Sequence, residues 1–138
     1  MPVTNGVADY TDLMTNFRRG HAKADPDILA DVLGDGFEWH THWFEATDPQ
    51  TTGRVICGID DMVAELQYRK ENWTDVRFDD LREQFSPGLV TQTFTISGLD
   101  NGVPFANAAV DLYTVTDDDK ITKKDTYWKY AAPARPGR

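Results

Sequence analysis

Apolar residues recur at two periods along this chain, and the change from one period to the other divides it. From Ala8 to Ala24 the positions Tyr10, Leu13, Met14, Phe17 and His21 fall three and four apart, the spacing of one helix face. Asp25-Pro26 punctuates the chain: Asp25 suits an N-cap and Pro26 the first position of a new helix. That second helix carries Ile28, Leu29, Val32 and Leu33, and Gly34 and Gly36 are read as ending it. Residues 37–43, Phe-Glu-Trp-His-Thr-His-Trp, alternate as a strand does. A polar loop from Glu45 to Gly53 follows, with Asp48-Pro49 inside it, then a short strand over Arg54–Cys57. Gly58 leads into a third helix over Ile59–Trp73, with Met62, Leu66, Arg69 and Trp73 on one face. Beyond it, residues 76–85, 89–97, 104–115 and 121–130 read as four strands. Ser86-Pro87-Gly88, Asp100-Asn101-Gly102 and Asp117-Asp118-Asp119 supply the turns between them.

Helices gathered early and strands late predict an α+β domain. In it, a curved sheet, folded as a four-strand antiparallel meander in its second half, packs against three helices from the first half. A strongly curved sheet leaves a cone-shaped hollow under the helices. The domain is expected over residues 8–130, with a loose leader at 1–7 and a frayed tail at 131–138 rich in Pro, Arg and Gly.

Composition narrows the partners. Asp and Glu outnumber Lys and Arg by 23 to 14, for a net charge of -9. Such a surface repels phosphate backbones, so no nucleic-acid partner is expected. No apolar run is long enough for a bilayer and no secretory leader is apparent, so no membrane partner is expected either. The single cysteine, Cys57, cannot form an intrachain disulfide and reads as structural, in keeping with a cytoplasmic location. Aromatic residues make up 12% of the chain, enough to wall a pocket for a flat apolar ligand.

The element order resembles the nuclear-transport-factor-2-like superfamily over roughly residues 8–130. The marks are Lys23-Ala24-Asp25-Pro26-Asp27 closing the helix pair, Gly53-Arg54 and Gly58-Ile59 before helix three, and Lys120-Ile121 through Tyr127-Trp128 in the last strand. Ketosteroid isomerases, scytalone dehydratase, limonene-epoxide hydrolase and SnoaL-type polyketide cyclases share that fold. The resemblance implies a cofactor-free pocket, a small apolar or aromatic ligand, and a homodimer or higher homo-oligomer formed through the open sheet face. Laid beside the ketosteroid isomerase pattern, the general-base Asp falls near His40, the hydrogen-bonding Asp on Asp111, and the helix-one Tyr on Phe17, which cannot donate. One of the three roles is kept, one altered and one lost.

Candidate chemistry centres on His40, which titrates near neutrality and shares a strand face with His42. Asn107, Ala109, Asp111 and Tyr113 share another face, on which Asp111 would orient His40. The alternative is that Asp111 faces solvent while Ala108, Val110 and Leu112 face the core. His21 continues the Phe17 stripe as a second helical candidate. Lys124, Thr126 and Trp128 alternate on the last strand and match pocket-facing positions of the superfamily. Lys124 would bind an oxyanion there, a solvent-facing lysine being the plainer alternative. Arg54 and Tyr68 are placed at the rim.

The expectation is a lyase, dehydratase or isomerase with no cofactor, acting on a small aromatic or polycyclic substrate. Formaldehyde-releasing cleavage of a lignin-derived aromatic dimer falls within that class. Epoxide hydrolysis is not expected, for want of an Asp-Arg-Asp constellation. Two alternatives stand. One is a non-catalytic ligand-binding or dimerization module. The other is a metal-dependent enzyme built on His40-Thr41-His42, a strand-borne ligand spacing, completed by His21 or Asp111. Gly34, the two histidines and Glu45 also imitate the first motif of cupins. However, Glu45 comes too early, and no histidine follows His42.

Overall fold

The computed structural model describes residues 8–42 and 53–130; the expected leader, the expected tail and residues 45–52 of the polar loop lie outside them. Helix α1 (Thr11–Lys23) and helix α2 (Pro26–Val32) precede strand β1 (Leu33–His42). Strand β2 (Val55–Cys57) and helix α3 (Gly58–Asn72) follow. The chain then runs through β3 (Trp73–Ser86), β4 (Leu89–Asp100), β5 (Val103–Val115) and β6 (Ile121–Tyr130). The strands form one sheet in the order β2-β1-β6-β5-β4-β3. Every pairing is antiparallel except β1 with β6, which is parallel. Among the described residues, three helices thus pack on a six-stranded, curved, mixed sheet, as the residue pattern predicts.

Local chemistry explains most of the boundaries. Asp25 caps α2 by accepting hydrogen bonds from the Asp27 and Ile28 amides at 2.9 and 3.2 Å, with Pro26 in the first turn. Asn101 and Gly102, with φ of 50° and 81°, form the two-residue β4–β5 turn that requires left-handed backbone at both positions. The second helix ends at Val32, and Gly34 lies inside β1 rather than capping a helix. A Cβ on Gly34 would sit 2.9 Å from Thr122 Cγ2, so the glycine lets β1 close onto β6. Strand β3 starts at Trp73, earlier than the alternation suggests. Its register slips between Thr74 and Arg77 and again between Asp79 and Arg82, with Asp75 and Asp80 in left-handed backbone. These two bulges bend the edge strand and hide its period of two.

The core divides along the sheet. Leu13, Met14, Phe17, Leu29, Trp39, Met62, Leu66, Val90 and Tyr113 join helices to sheet at one end. Trp73, Phe94, Ile96, Phe105, Ala109 and Trp128 form a second cluster at the other. Between the two, the curved sheet and the helices leave unfilled space.

Because Asp25 satisfies two amides that α2 cannot satisfy itself, Asp25→Ala is expected to destabilise the fold by about 1 kcal/mol. Asp25→Asn should retain most of that stability. Urea unfolding midpoints of the two variants at 25 °C test the assignment, and equal midpoints for Asp25→Ala and the parent would refute it.

Candidate active site

The face of each strand is fixed by which residues the helices cover. On β1 the covered residues are Phe37, Trp39 and Thr41, with Trp39 and Thr41 fully buried. On β5 they are Asn107, Ala109, Asp111 and Tyr113, and on β6 Lys124, Thr126 and Trp128. On β4 they are Val90, Gln92, Phe94 and Ile96. Part of these inner rows, with Phe17 and His21 of α1 and Arg69 of α3, lines a cavity of about 310 Å³. Phe78 and Leu81 of β3 also line it and are exposed at its rim.

Two ionisable side chains meet inside. Lys124 Nζ lies 3.9 Å from Asp111 Oδ2, and both residues are only 4% exposed. The ammonium also stands 4.1 Å from the centroid of the Trp39 ring, 5.5 Å from Phe17 and 5.6 Å from Tyr113. Aromatic faces attract a cation through the ring quadrupole and so offset part of its desolvation. Tyr113 donates its hydroxyl hydrogen toward Asp111 Oδ2 and Gln92 Oε1, each at 3.2 Å. Gln92 Nε2 in turn donates to Glu83 at 2.7 Å, which also receives Arg18 at 2.7 Å. Asp111 Oδ1 is buried and has no hydrogen-bond partner among the described residues. A buried acceptor left open in this way is costly.

Arg69 closes the other wall. Its guanidinium lies 4.8 Å from the Trp39 ring, 4.5 Å from Trp73 and 5.8 Å from Trp128, while Nε donates to Glu65 at 2.8 Å. The enclosure shifts three titrations. Burial, opposed by Asp111 and reinforced by Arg69, lowers Lys124 to about 8. Burial, with the positive charges of Lys124 and Arg69, holds His21 well below its ordinary value, so this imidazole is neutral at pH 7. Burial and the Asp111 charge push the Tyr113 hydroxyl well above its usual range.

The expected site is therefore partly present. Phe17, His21, Asp111, Tyr113, Lys124 and Trp128 line one cavity. His40 and His42 do not. They alternate with the buried Trp39 and Thr41 and so project from the opposite face of the sheet. The expected His40–Asp111 pairing is replaced by Lys124–Asp111. Neither His21 nor Asp111 joins His40 and His42 in a ligand set, because the sheet lies between them.

Three further expected positions are displaced. Arg54 is held at the β1–β2 edge by backbone bonds with Thr41 Oγ1, and its guanidinium binds Glu65. Tyr68 donates to Asp100 at 3.2 Å, beyond the cavity wall, where its α3 neighbour Arg69 stands instead. Asn107 shares the inner face and is buried, but lies past Ala109 and Trp128 and outside the cavity. Cys57 is exposed and free rather than structural. Trp39 and Gln92 were missed. Phe37-x-Trp39 marks the apolar parity of β1, and Gln92 interrupts an otherwise apolar alternation on β4.

No protein-family model and no curated protein matches the chain. Solved structures do resemble it. An NTF2-like protein from Burkholderia xenovorans superposes with a TM-score of 0.73 at 16% identity, covering 87% of this chain and 88% of that one. A protein of ketosteroid isomerase-like fold from Catenulispora acidiphila, solved with trimethylamine, gives 0.65 at 15% identity over 86% of each chain. An epoxide hydrolase of the LEH-like type from M. tuberculosis gives 0.59 at 15% identity, over 87% of this chain and 82% of that one. At these identities the likeness shows the fold, which is the nuclear-transport-factor-2-like one. None of the described helices is long and apolar enough to cross a membrane.

The Lys124 shift makes stability depend on pH in a defined direction. Below about pH 8 the lysine is protonated in both the folded and the unfolded chain, and the cost of burying its charge is fully present. Between about 8 and 10.5 the unfolded chain keeps the proton and the folded chain does not, so stability rises with pH. The full rise is on the order of 3 kcal/mol. Urea unfolding from pH 7.5 to 10 should show it, and Lys124→Met should abolish it. Lys124→Met/Asp111→Asn, which strands no buried charge, replaces the single variant if that one is too unstable. A rise that persists in either variant assigns the proton elsewhere.

Proposed function

We propose that the chain is a cofactor-free acid–base enzyme, a lyase, dehydratase or isomerase, acting on a small apolar substrate that carries a carbonyl or other polarisable oxygen. One observation carries this reading: a lysine ammonium and a carboxyl group with an unpartnered oxygen share one aromatic-walled cavity.

The chemistry follows from the two charges. The Asp111 carboxylate, which lines the cavity, accepts a proton from the carbon next to the substrate carbonyl. The C–H electrons move to the carbonyl oxygen, where negative charge develops. Lys124, protonated at pH 7, stabilises that charge in surroundings from which water is largely excluded, where a fixed cation is worth more than in solution. The proton then returns to a different carbon, giving isomerization, or a β-substituent departs with the electrons, giving elimination. Retro-aldol cleavage uses the same oxyanion stabilisation, with Asp111 taking the proton from a hydroxyl group. Neutral His21 stands on the cavity wall as a second proton carrier.

The cavity volume narrows the substrate. About 310 Å³ is at the lower bound of ligand sites, which suits one or two rings rather than a polycycle. The relatives' fold supports the reading at the coarse level, since an epoxide hydrolase of the LEH-like type uses the same scaffold. The exposed, free thiol of Cys57 suits a reducing compartment, and we place the enzyme in the cytoplasm.

Acetophenone in D2O tests the base, because its methyl protons exchange through an enolate that proton NMR follows directly. Exchange is expected in the parent chain and should slow by about 10²–10⁴ in Asp111→Asn. It should also fall as pH rises through about 8, where Lys124 loses its proton. 4-Nitrophenolate tests the cation. Its affinity should drop at least about tenfold in Lys124→Met and increase in Asp111→Asn, which removes the repelling charge. A folded Asp111→Asn that exchanges at the parental rate sinks the enzymatic reading. Phenolate binding indifferent to Lys124 would leave only a passive apolar pocket.

A further inference from the structure

The outer face of the sheet carries a second cluster that the cavity chemistry does not use. Strands β1 and β6 run parallel, with His40 paired to Asp125 and His42 to Tyr127 in register. His42 Nε2 lies 2.7 Å from Asp125 Oδ1, and His40 Nε2 lies 3.0 Å from Glu38 Oε1. One ligand atom from each of His40, His42 and Asp125 falls within 4.8 Å of the others. None of the three is freely solvated: their side chains are 21%, 20% and 13% exposed. Their placement rests on sheet backbone rather than on loops. The imidazoles of His40 and His42 lie nearly parallel, 16° apart, and Tyr127 stacks on His42 at 4.2 Å and 6°. The close Tyr127 stack holds the plane of the His42 ring.

We propose that His40, His42 and Asp125 form a binding site for a divalent transition-metal ion of the zinc class. Two imidazoles and a carboxylate suit zinc, whereas calcium and magnesium prefer an all-oxygen shell. In a tetrahedral zinc site ligand atoms stand about 3.4 Å apart, from bond lengths near 2.1 Å. The spread of 4.8 Å or less among His40, His42 and Asp125 therefore closes by small side-chain rotations with the backbone unmoved. The cation now nearest Asp125 is Lys123, whose Nζ stands 3.6 Å from Oδ1. Lys123 is 43% exposed and free to swing away. A bound ion would tie β1 to β6, the parallel strands that also set Trp39 beside Lys124. The site is independent of the cavity, and its occupancy does not depend on the proposed reaction.

Zinc binding to the metal-stripped chain, measured by competition with a chromophoric chelator, tests the proposal. All variants carry Cys57→Ser, which removes the exposed thiol as a rival ligand. One zinc per chain is expected in that background. His40→Ala and His42→Ala should each weaken binding at least about tenfold, since even outer-shell losses cost that much. Lys123→Gln, which leaves the ligands and the fold in place, should tighten it by removing the competing ammonium. Thermal unfolding should shift upward with added zinc in the Cys57→Ser chain and not in His40→Ala/His42→Ala. No saturable uptake with zinc on the order of 10⁻⁴ M, or equal affinity in the double-histidine variant, overturns the site.

Discussion

Burying one ammonium beside one carboxyl group constrains the whole centre of this molecule. Lys124 sits in a wall of Trp39, Phe17 and Tyr113 rings and 3.9 Å from Asp111. Taking an ammonium out of water costs several kcal/mol, and an aromatic face returns only part of that. The carboxyl group supplies more, but it lies beyond direct hydrogen-bond distance. The lysine's proton is therefore held loosely, at a pKa of about 8. A tighter pair would be more stable and chemically inert. The gap between the partners, with one carboxyl oxygen unsatisfied, is the kind of local cost that functional sites retain.

That gap exists because the sheet is bent. A flat sheet would press its inner row against the helices and fill the space with side chains. Two bulges in β3 curl the far edge over the helices, so Phe78 and Leu81 reach the cavity rim. Inside the sheet, Gly34 lets β1 approach β6 without a side chain between them. The cavity follows from where the sheet bends and which residues are small, more than from any one polar group.

The architecture was legible in the residues because helix and strand periods are read locally. Asp25-Pro26, Asn101-Gly102 and the switch from a period near four to a period of two placed the elements within a few positions. The inner row of β5 was legible too, since polar and small residues share the Asp111 parity. The histidines were misplaced for a physical reason. A period of two says that His40 and His42 share a face but not which face. Only the partners across the sheet decide, and the local clue was that Phe37 and Trp39 hold the other parity. Lys124 carried the opposite ambiguity: a lysine on a strand reads as solvated until a carboxyl group from a neighbouring strand is known to face it. The roles of Arg54 and Tyr68 depended on α3 rotation, which periodicity fixes only to within a residue.

One register thus produces both faces. The parallel pairing of β1 with β6 sets Trp39 beside Lys124 and Thr41 beside Thr126 on the inside, with Trp39 Nε1 donating to Thr126 Oγ1 at 2.9 Å. The same pairing sets His40 beside Asp125 and His42 beside Tyr127 on the outside. A slip of one residue would exchange the rows, putting imidazoles into the apolar cavity and Trp39 into water. Neither half is tolerable, so the inner apolar row specifies the outer polar one. Because parallel strands are joined only by a long crossover, no tight turn fixes this register. The buried Trp39–Thr126 bond and the inner-row contacts must therefore hold it. An ion held by His40, His42 and Asp125 would hold the same register from outside.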